Sequence, residues 1–399
     1  MRIWFVNRFY WPDEPATAQL LGDLAEGLSA LGHEVHVVCG TPARAIEKSI
    51  PTTRRGVTIH RLAYRLMPGD SLAARAIGFG GFLLRVGLYL TRHLSRGDRL
   101  VLLTDPPLLG FVAAIPSRLR GVRVFHWVQD IHPEVSIAVL RSGVMRSLLR
   151  LATPLRNLGW RGAACWVTPS ASMAAEVRRV TGPGALVAVM HNWAPEGLAP
   201  ANADDSMAMR TSWGVPQGAL VLMYSGNLGR VHDMECIASL MAELHDAPNV
   251  HLVVIGKGAG LAELKDRLEG AGLLGNCHFL PACPRESLAT SLSAADMHLV
   301  TLRAGCESYV FPSKLYGIAA VARPVLAIGP ANSDLVTLVR QHGMGLAGSP
   351  AQVPGLAEEL RALLASPERL GQMGSAARGF LQVYGDAQTA CAHWQCLLA

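Results

Sequence analysis

The run from Glu307 to Gly317 combines a carboxylate, hydroxyls, two tyrosines, a turn-forming Pro312 and a lysine placed where a helix should begin. Lys314 stands in the first turn of that expected helix, with Ser313 as its N-cap. A cation there opposes the helix macrodipole, at a cost of about 0.3–1 kcal/mol at an exposed site. An anion reverses the sign, because backbone N–H groups, dipole and ammonium then converge on one negative group such as a phosphate. The alternative is a solvated surface lysine. Three other segments carry compatible groups: Gly226-Asn227-Leu228-Gly229-Arg230-Val231-His232, Gly256-Lys257-Gly258, and Pro281-Ala282-Cys283-Pro284-Arg285. Glycines let backbone approach a phosphate closely, and the cations Arg230, Lys257, Arg285 and Lys314 stabilise a departing diphosphate electrostatically. Departure of the leaving group from a nucleotide-sugar demands that chemistry, with Glu307 as the accompanying carboxylate.

Such loops need a scaffold that brings them to one edge. Apolar runs at 220–224, 250–255, 278–280, 297–302 and 325–328 read as strands, with helical stretches between them. Strand–helix alternation argues for a parallel sheet with helices on both faces, and ligands of such sheets sit beyond the carboxyl ends of the strands. The first half repeats the pattern, with strands expected at 3–6, 35–39, 57–62, 100–104, 122–128, 164–168 and 187–190. A helix capped by Thr17 should run to about residue 30, and another over 108–119 should bend near Pro116. The strand ends of this half carry Arg8, Tyr10, Asp13, Glu14, Asp105, Gln129, Asp130, His132 and Glu134. Carboxylates and amphipathic aromatics suit a polyhydroxylated acceptor, while helix-start capping is the alternative for Asp130 and Glu134. His126, inside an apolar strand, reads as a core residue. Residues 196–215 are rich in Pro, Ala, Asn and Asp and read as a linker between domains at 1–195 and 216–384. Neither half shows a GxGxxG run after its first strand.

The 399 residues exceed the roughly 250–300 at which single cores stop growing, so two domains are expected. Half of the residues are hydrophobic and 17% are charged. The eight cysteines form no CxxC pair, which argues for reduced thiols in a cytoplasmic setting and against a disulfide framework or a zinc site. The opening residues read as a strand and not as a signal peptide, and no uncharged apolar run reaches about 18 residues, so no spanning helix is expected. The net charge of +6 is uneven. Residues 71–97 hold Arg75, Arg85, Arg92 and Arg96 with no acid, and residues 135–175 hold Arg141, Arg146, Arg150, Arg156 and Arg161 with none. Docking on an anionic membrane surface is one reading; core helices with snorkelling arginines are the other. Nucleic acid is disfavoured, because aromatics do not interleave with the basic residues as a stacking platform requires.

With these residues in view, the chain resembles the retaining glycosyltransferases of family four, and within them the colanic-acid-biosynthesis type. Five segments carry the resemblance: 31–38, Val128-Gln129-Asp130-Ile131-His132-Pro133-Glu134, 224–232, 254–258 and Pro312-Ser313-Lys314-Leu315-Tyr316-Gly317. It implies the GT-B architecture, two doubly wound Rossmann-like domains facing across a cleft, with the terminal helix at 385–399 packing back on the first. It implies a UDP- or GDP-type sugar donor held by Gly226, Asn227, Gly229, His232, Gly256, Lys257, Pro281, Arg285, Ser313, Lys314 and Leu315. Catalysis would fall to Lys314, Arg230, Glu307 and Asp130, without metal or cofactor. A glycolipid or polyprenyl-linked acceptor would meet Tyr10, Glu14, Gln129, His132 and Glu134, with the enzyme peripheral on the inner face of the cytoplasmic membrane. The pattern departs at three places. The family's paired glutamates fall at Tyr309 and Gly317, the second being the one that binds ribose, with Glu307 as a substitute two residues before the first. The Arg and Lys of the first loop become Asn227 and His232. The His-Asp of the acceptor side becomes Gln129-Asp130. These departures leave two alternatives, a non-catalytic nucleotide-sugar-binding partner of another transferase and a nucleotide-sugar epimerase of the same architecture.

Overall fold

The structure, a computed structural model, describes residues 1–41, 52–64, 72–140 and 142–399. Ser71, Arg141 and the side chain of Arg75, all within the acid-free stretches, lie outside the described residues. The chain forms two units, Met1–Asn192 with Ala387–Ala399, and Trp193–Asp386.

In unit 1, the described residues form a sheet of eight strands: β1 Arg2–Val6, β2 Glu34–Gly40, β3 Thr53–Arg54, β4 Val57–Leu62, β5 Arg99–Leu102, β6 Arg123–Trp127, β7 Cys165–Thr168 and β8 Val187–Val189. Their order is β3-β4-β2-β1-β5-β6-β7-β8, parallel throughout except for the short pair β3 and β4. The order reverses between β1 and β5, where Val6 pairs with both Val38 and Leu102. The helix Ala16–Ala30 starts two residues earlier than expected. Pro15 is its N-cap and Thr17 lies inside, because the Pro15 carbonyl already accepts from the N–H groups of Ala18 and Gln19. The helix Leu109–Arg120 contains the buried Pro116. The terminal helix Ala387–Leu398 belongs to this unit, with Trp394 edge-on to Trp127 at 5.3 Å.

In unit 2, the strands are β9 Leu220–Ser225, β10 Val250–Ile255, β11 Cys277–Leu280, β12 Met297–Thr301, β13 Val325–Ile328 and β14 Gly345–Gly348, in the order β11-β10-β9-β12-β13-β14 and all parallel. All six residues of β10 and all five of β12 are buried, as expected for strands covered on both faces. Register sets the loops level. Ser225 pairs with Ile255, Ile255 with Leu280, and Met223 with His298. The segments beginning at Gly226, Gly256 and Pro281 therefore leave the sheet side by side.

The expected linker at 196–215 is part of unit 2. It contains the helix Ala203–Ser212, whose Asn202 cap accepts from the Asp204 N–H. Arg210 binds the Asp296 carboxylate at 2.7 Å, and the other Asp296 oxygen accepts from the Val221 N–H at 2.7 Å. The helix buries only Ser206, so polar bonds hold it instead of an apolar stripe, and its sequence therefore reads as a linker.

Candidate functional site

The strand order of unit 2 reverses between β9 and β12, and the sites of doubly wound sheets form at such a switch point. Lys314 opens the helix Lys314–Ala320 and sends its Nζ back over the Tyr224 ring at the end of β9, 3.6 Å from the centroid. That Nζ is shielded from water and makes no hydrogen bond among the described residues. Burial holds the ammonium well below the usual lysine range. The ring face offsets part of the desolvation, by about 2 kcal/mol for a dehydrated cation. Tyr224 in turn donates its hydroxyl to the Asn227 carbonyl at 3.1 Å, which ties the ring to the first loop.

Four glycines bring this loop and the next together. Gly226 donates to the Ile255 carbonyl, Leu228 to the Lys257 carbonyl, and Gly260 to the Leu228 carbonyl. At Gly256, φ is +141° and a Cβ would lie 2.0 Å from the Gly226 carbonyl oxygen. At Gly258, φ is +146° and a Cβ would lie 2.4 Å from the Leu228 oxygen. Only glycine meets both the backbone angle and the contact.

His232 closes the switch point. Its Nδ1 lies 2.7 Å from the Thr301 carbonyl at the end of β12, and since a carbonyl only accepts, Nδ1 carries the proton. The Asp233 N–H donates to Thr301 Oγ1, and the Arg303 N–H to the Val231 carbonyl. Burial, then the nearby Lys314, pushes His232 down to about 3. It was expected among the phosphate contacts, in place of a lysine; the structure makes it a neutral residue that pins the first loop to β12. Leu315, also expected at the donor, is fully buried in the core, so its side chain reaches no ligand. Ser313 precedes the helix in helical conformation and makes no side-chain cap bond, unlike the expected N-cap. Arg230, Asn227, Lys257, Pro281 and Arg285 are exposed on the loops that leave the sheet together, and Gly229 is half-buried. Glu307 is half-buried, with one carboxylate oxygen shielded and without a hydrogen bond. Among the described residues, no group of three His, Cys, Asp or Glu side chains is arranged to hold a metal ion.

Unit 1 pins its own switch point. The Arg8 N–H donates to the Asp105 carbonyl at 2.7 Å, and the Arg8 guanidinium reaches the Asp105 carboxylate at 2.7 Å and the Tyr64 hydroxyl at 2.9 Å. Beside them, Thr104, His126, Asp130, His132 and Arg156 line a cavity of about 20 Å3, room for about one water. Burial pushes Asp130 up to about 6, and the Asp130 N–H donates to Thr104 Oγ1 at 3.2 Å. His132 Nδ1 lies 3.0 Å from Ser136 Oγ. Several expected acceptor contacts are engaged internally. Tyr10 is fully buried and is a core residue. Gln129 and Asn192 exchange reciprocal amide bonds of 2.8 and 2.9 Å. Glu134 is ion-paired to Arg156, which lies over the Trp160 ring at 4.2 Å. Arg156 is thereby removed from the basic surface on which the acid-free stretch had placed it. Glu14 is exposed. Sequence reasoning missed Tyr224, a strand-end aromatic followed at once by the glycine loop, and Thr301, for which no local signal exists.

Two family models cover most of the chain, a glycosyl transferase 4-like domain over residues 17–193 and glycosyl transferases group 1 over residues 205–380. The chain is 24% identical over 384 residues to the putative colanic acid biosynthesis glycosyl transferase WcaI of Escherichia coli K12, covering 92% of this chain and 93% of that one. It is 29% identical to the probable glycosyltransferase WbjE of Pseudomonas aeruginosa, over 67% of this chain and 66% of that one. Among solved structures, the fold matches sucrose-phosphate synthase from Thermosynechococcus elongatus with a TM-score of 0.78 at 17% identity, over 99% of this chain and 98% of that one. It matches Anabaena HepE in complex with UDP and glucose with a TM-score of 0.74 at 17% identity, over 100% and 99%. The fold is GT-B.

Two outcomes follow from this geometry. Gly256→Ala should cost about 2–3 kcal/mol in urea unfolding, through backbone strain and the clash with Gly226; Gly270→Ala, where a Cβ meets nothing within 4 Å, should not destabilise. The pH dependence has a definite sign. The buried His126, His232 and His298 are depressed to about 4, 3 and 4. The unfolded chain therefore binds their protons first, so stability is intact above pH 6.5 and falls as pH drops toward 4. The slope is about 1.4 kcal/mol per pH unit for each fully weighted group. The raised Asp130 and Asp105 oppose this at low pH, while His60, also depressed to about 4 by burial, adds to it. Urea midpoints at pH 7 and pH 5 measure the difference, and an equal or higher midpoint at pH 5 contradicts it.

Proposed function

The chain belongs to the glycosyltransferases that join a glycosyl transferase 4-like domain to a group 1 domain, and from that premise we propose a specific reaction. The enzyme moves a sugar, with retention of configuration, from a UDP- or GDP-type nucleotide-diphosphate-sugar to a lipid-linked acceptor. The product is a step in a bacterial surface polysaccharide or glycolipid. Unit 2 holds the donor and unit 1 the acceptor. The observation that carries the donor assignment is the shielded Lys314 amine at the switch point, with no anion or hydrogen bond among the described residues to offset its burial and two interlocked glycine loops beside it. A diphosphate supplies the missing negative charge. Lys314, with Arg230, Lys257 and Arg285 on the adjoining loops, stabilises the nucleoside diphosphate as it leaves, and transfer proceeds without a divalent metal. The name of the relative WcaI and the UDP bound in HepE support the polysaccharide setting and the donor class. The acid-free basic stretches support work at the inner face of the cytoplasmic membrane, and no described helix is long and apolar enough to cross it.

Lys314→Met tests this with two readouts of opposite sign. Removing a desolvated charge should leave the fold as stable or more stable, while transfer should fall roughly 100-fold or more. In the wild type, a diphosphate beside the depressed lysine favours its protonated form. Titration calorimetry in buffers of different ionisation enthalpy should then show proton uptake on nucleotide binding, and affinity should fall as pH rises through that window. Lys314→Met should abolish the uptake. Kinetics in Lys314→Met equal to the wild type would remove the diphosphate role.

A further inference from the structure

The helices Gly143–Arg150 and Ala152–Trp160 abut at Leu151, which itself has helical angles. Val144, Leu148, Leu151, Leu155 and Leu158 follow one another at spacings of four and three, the pattern of a buried helical stripe. Here the stripe is on the surface, with exposures of 74, 55, 71, 41 and 43%, and no residue of Gly143–Arg150 is buried. The helix Leu109–Arg120 packs against Ala152–Trp160, where Gly159 lets the Phe111 backbone approach so closely that a Cβ would lie 2.3 Å from its nitrogen. On its other side lies Leu72–His93, with Gly87 against Val112. This layer also exposes Ile115, Leu119, Leu84 and Leu88. Eleven of the twenty exposed large apolar side chains among the described residues fall between 77 and 158.

The charge on these helices has one sign. None of the segments 72–93, 109–120 and 143–160 contains an acidic residue, and Arg85, Arg92, Arg118, Arg120, Arg146 and Arg150 are exposed on them. Next to the stripe, Arg150, Thr153, Pro154, Asn157, Leu158 and Arg161 line an open groove of about 630 Å3. A protein partner needs complementary shape and takes charges of both signs. A layer of aliphatic side chains set among arginines alone fits the boundary between acyl chains and anionic headgroups.

We infer that the outer face of these helices in unit 1 docks on an anionic phospholipid bilayer, with the 144–158 stripe entering the headgroup boundary and the Arg150–Arg161 groove taking a lipid phosphate. The inference rests on the reading of a lipid-linked acceptor, and it differs from the sequence expectation in adding the Leu109–Arg120 helix and removing Arg156.

The test is co-sedimentation of the full chain with phosphatidylcholine vesicles, with and without phosphatidylglycerol. The wild type should bind the anionic vesicles alone, and less as salt rises. Leu148→Glu combined with Leu151→Glu should weaken that binding about tenfold or more, since it puts charge on the inserted face. Both sites are exposed, so the thermal melt should stay unchanged. Val383→Glu, at a 64% exposed site in unit 2, should bind as the wild type does. Stabilisation by UDP-sugars without vesicles is read in parallel, so loss of donor binding and loss of docking are separable. Wild type left in the supernatant with anionic vesicles overturns the inference. So does a double variant that binds undiminished, or a wild-type dimer that the double variant dissociates.

Discussion

The candidate site of unit 2 depends on one electrostatic constraint, a lysine amine taken out of water at a sheet's switch point with, among the described residues, an aromatic face to receive it. An isolated buried ammonium is costly enough that it tends to lose its proton, and Lys314 is displaced in that direction. The neighbouring residues are compatible with that cost because none adds a second cation. His232, within reach of the lysine's field, is neutral and spends its proton on the Thr301 carbonyl. Tyr224 presents its ring to the ammonium and turns its hydroxyl to the loop backbone. The cation is thus disfavoured in the free protein and favoured beside an anion, the direction that electrostatic complementarity to a phosphate requires.

Both units solve the same structural problem with different chemistry. At a switch point, the loops after two adjacent strands diverge, and something must hold them at a fixed separation. Unit 2 uses a histidine-to-carbonyl bond reinforced by Asp233 and Thr301. Unit 1 uses an ion pair, Arg8 with Asp105, whose carboxylate is raised by burial and pulled back by the arginine. The bond in unit 2 keeps the site free of a second charge. The pair in unit 1 leaves Asp130, raised to about 6, as a carboxyl able to gain or lose a proton near neutrality.

The parallel sheets and the loop positions were legible because they follow from apolar runs, turn residues and the alternation of strands with helices; the strand order was not read. The same reasoning put Lys314, Gly226 and Gly256 at strand ends, and the structure sets them at the switch point of unit 2. What could not be read was pairing across long separations. Gln129 looked available for an acceptor until Asn192, 63 residues later, took both ends of its amide. Arg156 looked like a surface charge until Glu134 neutralised it. Tyr10 lies in a polar loop yet is fully buried. The helix Ala203–Ser212 was hidden because its cohesion is polar.

Gly317 bears on how the donor is gripped. The family resemblance places a ribose-binding glutamate there, yet nothing in the backbone demands glycine. Its φ is not in the left-handed region, and a Cβ would meet Leu198 and Leu292 at 3.7 and 3.8 Å, ordinary contact distances. The fold would accept a side chain, so the missing carboxylate is a change in binding chemistry and not a packing necessity. Those neighbours are both leucines, and a carboxylate directed at them would lack the partners that buried charge requires. Under the proposed donor assignment, with no acceptor for ribose hydroxyls at this position, the diphosphate carries a larger share of recognition, which concentrates the energetic weight of the site on Lys314.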